Sequence, residues 1–189
     1  AAALTLTVVH LRRVPVPLVD LRILAVRTYR VTAFGGSVFR AVITAIPFLL
    51  PLFFQLGFGW TAAHAGLVVI ALFAGNVGIK PVTTPLMRRF GLRAVLIGSI
   101  PASMLCLLGI AALTPTTPLP LLLGLLVLSG VFRSIGFSAY NSLAFSDVDP
   151  GRMTPANTLM TTLQELGAGL GIAVGALLLR LGEPVAAGL

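Results

Sequence analysis

The sequence predicts an all-α membrane protein, a bundle of five full membrane-spanning helices, and three observations carry that prediction. The chain of 189 residues is 57% hydrophobic and only 10% charged, with a mean hydropathy of +1.04, whereas a soluble domain carries about 25% charged residues. Five apolar runs, roughly 31–57, 63–87, 92–113, 119–145 and 156–180, reach the ~20 residues a helix needs to cross hydrocarbon. The basic residues are sorted between these runs. Nine of the 13 Lys and Arg fall in 12–30 (Arg12, Arg13, Arg22, Arg27, Arg30), 88–93 (Arg88, Arg89, Arg93) and 146–155 (Arg152), while the loops 58–62 and 114–119 carry no charge. Positive loops stay on the cytoplasmic side, so the alternation both separates the spans and orients them.

Each run is expected to be helical because backbone groups in lipid must find partners within their own segment. A β-barrel needs strands that alternate apolar and polar residues, and runs such as LLLGLLVLSGVF do not alternate. The net charge of +8 does not point to nucleic acid, because the basic residues flank spans and form no continuous face. Their expected partner is the anionic headgroup layer of membrane lipid, at about 1 kcal/mol per residue.

In chain order, residues 1–11 (AAALTLTVVHL) read as the end of a truncated transmembrane helix, with His10 near its end. Residues 12–30 read as a basic, amphipathic cytoplasmic linker. Within it, 17–30 sets Leu18, Leu21, Ile23, Leu24 and Val26 among arginines, the pattern of a stretch lying along a membrane surface. Pro15 and Pro17 make its entry stiff and extended. Residues 31–181 then form five helices. The first span runs outward, the second returns at Arg88, and the third runs out to TPTTPLP. The fourth returns at SDVDPGR, and the fifth leaves 182–189 as an external tail before a missing last helix. On this path Arg40, Lys80 and Arg133 lie within spans and only Arg180 is outside. An odd number of spans reads as part of a larger bundle. Pro47 and Pro51 in the first span, Pro81 and Pro85 in the second and Pro101 in the third each remove a helix hydrogen bond and permit a bend.

Candidate functional residues are those that hydrocarbon should reject. Arg40, Lys80, Arg133 and Glu165 fall inside spans, where a centred charge costs about 2.5–3.5 kcal/mol. At about 1.5 Å per residue they lie roughly 15, 10, 18 and 13 Å from the inner ends of their spans. All four sit between the midplane and the inner surface. Lys80 is shallow enough to snorkel to headgroups. Arg40 and Arg133 line a substrate path, or else serve a helix-to-helix pair or a carbonyl freed by proline. Glu165 is a proton-carrying carboxylate or an ion-pair partner for Arg133 or Lys80. Asn76, Ser134, Ser138, Asn141, Ser142 and Gln164 accompany them. Ser134, Ser138, Asn141 and Ser142 recur at three to four residues and share one face, suited to a polar path or to interhelical hydrogen bonds.

Gly167, Gly171 and Gly175 recur every four residues, a face that lets another helix approach closely, and Gly35, Gly36, Gly75 and Gly78 serve similarly. Cys106 is alone, which excludes an intrachain disulfide, and reads as a small buried hydrophobe. His64 reads as an interfacial residue. No HExxH, GxSxG or paired intramembrane Asp appears, so an enzyme is not expected, nor any cofactor or metal site.

Three stretches together carry a resemblance: GGSVFRAVITAIPFLLPLFFQLGFG (35–59), GIKPVTTPLMRRFGLRAVL (78–96) and FRSIGFSAYNSLAFSDV (132–148). They resemble the second half of a major facilitator superfamily transporter. More narrowly, they resemble the fourteen-helix drug:proton antiporter branch (EmrB/QacA-like), in particular its MdtD/HsrA-like members. The likeness spans about 12–181, and PLVDLRILAVRTYR resembles that branch's linker before its second half. The resemblance implies that the five spans correspond to family helices nine to thirteen, the first and fourth lining the cavity. Arg40 and Arg133 would then face the substrate path, with Asn141 nearer the inner gate. Arg89, Phe90, Gly91, Leu92 and Arg93 would form the second-half copy of the superfamily's cytoplasmic loop motif. Arg88 stands where that motif usually has Asp, which favours an inner-surface anchor over an acidic relay. Glu165 follows Gln164 where related sequences commonly carry a second Gln, so its role is not inherited.

The implied function is the C-terminal part of a proton-driven multidrug or small-molecule exporter, working by alternating access in a bacterial cytoplasmic membrane and linked to antibiotic resistance. Its partners would be membrane lipid, a small-molecule substrate, protons and a missing N-terminal half. Rival readings are an organic-anion or metabolite transporter, because the charges within spans sum to +2, and a non-transporting scaffold or decayed fragment.

Overall fold

The computed structural model describes residues 21–186, with side chains as far as Leu179. The expectations for 1–11, for Arg12, Arg13, Pro15 and Pro17, for the side chain of Arg180 and for the last residues of the tail lie outside that range. Six helices follow one another: α1 (Arg27–Phe58), α2 (Ala62–Gly78), α3 (Lys80–Phe90), α4 (Leu92–Ala111), α5 (Leu119–Ala144) and α6 (Met153–Ala186). Short 3-10 turns at Leu21–Ala25 and Pro150–Arg152 precede α1 and α6. Four helices, α1, α4, α5 and α6, are each long and apolar enough to cross a membrane. A fifth candidate is a pair, α2 and α3, which reaches that length and hydropathy only when taken together and is bent by 48° at Ile79.

That break corrects the expectation of a single helix over 63–87, and its cause is local. Pro81 cannot donate to the carbonyl of Val77, and it disfavours helical geometry at Lys80. The chain ends α2 at Gly78, and the Ile79 N–H closes on the Gly75 carbonyl at 3.3 Å. Thr83 Oγ1 then donates to the Ile79 carbonyl at 3.0 Å, and α3 begins with Pro81 in its first turn.

The other ends are set by equally plain chemistry. Gly59 takes a left-handed conformation, φ 67°, and its N–H closes on the Gln55 carbonyl to end α1. Thr61 caps α2 by accepting from the His64 N–H. Gly91, φ 80°, separates α3 from α4. Proline in its first turn opens α5.

The centre of the bundle is α5, which packs on α4, α2 and α1, while α6 lies mainly along α1. Glycine makes the tightest seams. A Cβ on Gly75 would strike the Val127 carbonyl, and one on Gly130 would strike the Leu72 carbonyl, so α2 and α5 cross backbone to backbone. A Cβ on Gly171 would strike the Ala41 carbonyl, one on Gly167 would come within 2.7 Å of the Ser37 carbonyl, and one on Gly175 within 2.8 Å of the Leu49 side chain.

One apolar core gathers Leu50, Phe54, Val69, Leu72, Ile110, Leu122 and Leu126 towards the end that carries the uncharged loops. There Trp60 stacks between Phe54, at 5.0 Å, and His64, at 4.3 Å. A second core joins Ile23, Tyr29, Ala33, Val148, Ala156, Leu159 and Met160 at the opposite end. Ile23 is only 1% exposed, so the turn before α1 is docked against the bundle through that residue while Leu21 stays exposed, and Arg27 and Arg30 already belong to α1. Ile97, Met104, Leu105 and Leu108 on α4, and Leu166, Leu170, Val174 and Leu178 on α6, point outward and are exposed. An outer shell of this kind suits hydrocarbon.

Candidate functional site

The polar residues meet along the seam of α1, α5 and α6. Arg40 enters from α1, where Ser37 and Ala41 on either side form the close contacts with Gly167 and Gly171. Because α6 approaches so closely there, its next residues inward, Gln164 and Glu165, reach the same level. The Arg40 Nη2 lies 3.6 Å from the Glu165 Oε1. The guanidinium also sits over the Phe137 ring, 5.1 Å from its centroid, a cation–π contact. One turn along α5 from Phe137, Asn141 accepts a 3.0 Å hydrogen bond from the Gln164 Nε2 and donates its own amide to the Phe137 carbonyl at 2.9 Å. The Asn141–Gln164 bond ties α5 directly to α6.

The two sides of this cluster differ in access. Gln164 is buried, whereas the side chains of Arg40 and Glu165 are 32% and 66% exposed. The ion pair is therefore open to its surroundings, chiefly on the Glu165 side. A pair open on one side can be reached by a proton or by a competing charged ligand.

The expected partner for Glu165 was Arg133 or Lys80, and the structure corrects this to Arg40. The reason is helix placement: α6 packs on α1, not beside the part of α5 that holds Arg133. Arg133 is 4% exposed and donates from Nη2 to the Ile43 carbonyl on α1. Its Nε and Nη1 are buried without a hydrogen-bond partner among the described residues. Lys80 is exposed at the start of α3 and joins no part of the cluster. Of the serine face, Ser134 is buried, Ser138 half-buried and Ser142 exposed, and Asn141 alone pairs with α6.

In the loop motif, Arg88, Arg89 and Arg93 are exposed around Gly91, with Arg89 5.7 Å from the Phe90 ring centroid. Phe137 and Gly130 escaped the sequence reading. Phe137 is one aromatic among eleven Phe, and only its position four residues beyond Arg133 and four before Asn141 could have drawn attention to it. Gly130 belongs to no four-residue repeat of glycines.

The family model described as Major Facilitator Superfamily matches residues 3–172. Among curated proteins, the chain is 32% identical over 173 residues to MdtD of Pectobacterium atrosepticum, provisionally named a multidrug resistance protein, covering 90% of this chain and 36% of that protein. It is 31% identical over 182 residues to MdtD of Cronobacter sakazakii, and 30% over 186 residues to MdtD of Escherichia coli, covering 95% of this chain and 38% of the relative in each case. The chain thus spans little more than a third of the length of the curated relatives it matches. No solved structure matches the chain. With nine-tenths of its length inside one family model and its helices arranged as a membrane bundle, the chain belongs to the major facilitator superfamily.

Proposed function

We propose that this chain is part of a proton-driven multidrug or small-molecule exporter of a bacterial cytoplasmic membrane, working by alternating access. The observation that carries the reading is the Arg40–Glu165 pair over Phe137, braced by Asn141 and Gln164, inside helices otherwise built of apolar residues. Intramembrane charges of this kind mark substrate or proton pathways. The family and the multidrug names of the relatives give the substrate class its direction.

In this mechanism Glu165 exchanges a proton with the cavity. Deprotonated, it holds Arg40 and ties α6 to α1. Protonated, it releases Arg40, which keeps its Phe137 contact and faces the cavity. Substrate and proton thus bias opposite populations of two conformations. The remainder of the transporter supplies the other wall of the cavity, and lipid surrounds the outer shell.

The test is proton-coupled efflux by the full-length protein in everted vesicles, across cationic and anionic dyes. Export of cationic dyes that collapses with the pH gradient supports the reading; no export of any dye rejects it. A second reading, an organic-anion transporter, is favoured by one fact: Arg133 has no acidic partner among the described residues, so the seam carries excess positive charge. Export restricted to anionic dyes selects it.

A further inference from the structure

The carbonyl that Arg133 reaches is the one Pro47 leaves open. In an α-helix the N–H of residue 47 donates to the carbonyl of residue 43, and proline has no N–H to give. Ile43 is 9% exposed, so its carbonyl has little access to water, and an unmatched polar group there is costly. The Arg133 guanidinium comes from α5, 90 positions away in sequence, and donates to that oxygen.

Two comparisons make the match specific. Pro51, Pro85 and Pro101 also lie inside helices and open the carbonyls of Pro47, Pro81 and Ile97. None of these three accepts a side-chain hydrogen bond among the described residues. Arg133, for its part, has no other acceptor there, since Nε and Nη1 are unmatched and the Arg40–Glu165 ion pair does not include it. At 4% exposure it presents almost no surface to a ligand.

We infer that Arg133 is a positioning residue whose guanidinium replaces the hydrogen bond Pro47 removes, so that the proline-opened turn of α1 and the side chain from α5 form one joint. The joint lies one turn beyond Arg40, and it sets the angle at which Arg40 meets Phe137 and Glu165. Its effect on transport rests on the exporter reading; the joint itself does not.

A double-mutant cycle in the full-length protein tests this. Pro47→Ala restores an N–H for the Ile43 carbonyl. Arg133→Met removes the donor and keeps the bulk, while Arg133→Lys keeps a donor. Melting temperature in detergent and dye efflux are both read. Arg133→Met should lower the melting temperature and slow efflux, and Arg133→Lys should retain most of both. Adding Pro47→Ala to Arg133→Met should recover melting temperature that Pro47→Ala does not add to the parent protein. An identical shift from Pro47→Ala in both backgrounds overturns the joint. So does an unchanged melting temperature in Arg133→Met, or a raised KM for the dye at full stability, which makes Arg133 a substrate contact. If Arg133→Met fails to accumulate, membrane abundance replaces melting: recovery in the double mutant supports the joint, and no recovery rejects it. Should the parent protein export nothing, the exporter reading fails while the melting cycle still decides.

Discussion

Glu165 is the residue at which stability and transport separate most cleanly. Its pair with Arg40 at 3.6 Å is open on the Glu165 side, and Gln keeps the shape and polar atoms of Glu, so Glu165→Gln should leave the melting temperature nearly unchanged. Loss of coupling to the pH gradient at unchanged melting temperature is the expected outcome for the proposed proton carrier. Normal proton-coupled exchange in that mutant ends the proposal. Tyr29 is the contrasting case. Its hydroxyl is buried and donates to the Ala156 carbonyl at 2.7 Å, joining the start of α1 to the start of α6. Tyr29→Phe should cost about 1 kcal/mol, read as a lower melting temperature, because that carbonyl loses a partner with little water to replace it. The charged residues were legible in the sequence, since each violates the apolar run that holds it. Their partners were not. Sequence gives depth along a helix, but pairing depends on which helices are neighbours, and nothing in the residues near Glu165 names α1 over α5.

Helix seams carry the next set of expectations. Gly130 faces the Leu72 carbonyl with no room for a methyl group, so Gly130→Ala should destabilise the bundle by about 1–3 kcal/mol. Gly124 lies on the same helix with nothing within 4 Å of its missing Cβ. Gly124→Ala should be neutral or stabilise by up to about 1 kcal/mol, since it removes backbone freedom from the unfolded chain. Melting temperatures of the two variants side by side check the assignment, and equal effects reject it. The α6 glycines were readable because their four-residue repeat follows a helix face. Gly75 and Gly78 were both expected to admit a neighbour, yet Gly75 meets the Val127 backbone while Gly78 has nothing within 4 Å of its missing Cβ, and Gly130 was not singled out at all: a lone glycine in an apolar run looks the same whether it touches a backbone or open space. The break at Ile79 was half visible: Pro81 marked the place, but the size of the bend depends on how α3 settles against α4 and α5.

At the scale of the whole molecule, the sorted charges make a topological prediction. With Cys106→Ser as background, a cysteine at Thr116 should react with a membrane-impermeant maleimide in intact cells, and a cysteine at Arg89 should not. The reverse pattern inverts the bundle and removes the exporter proposal with it. All five apolar runs became helical, four as single helices long and apolar enough to cross a membrane and one as the bent pair α2 and α3, because length and hydropathy are local properties of the sequence. Which span sits in the middle was not decided by them, and the centrality of α5 emerges from packing that joins it to α1, α2 and α4. The reciprocal close approach of Gly75 to the Val127 carbonyl and of Gly130 to the Leu72 carbonyl has a mechanical result. Neither α2 nor α5 can roll about its own axis without driving main chain into main chain, so the two behave as a single stiff beam. The same holds for α6 on α1, where Gly171 meets Ala41 and Gly167 meets Ser37, so the bundle resolves into two stiff pairs and relative movement falls to the less extensive seam between α1 and α5.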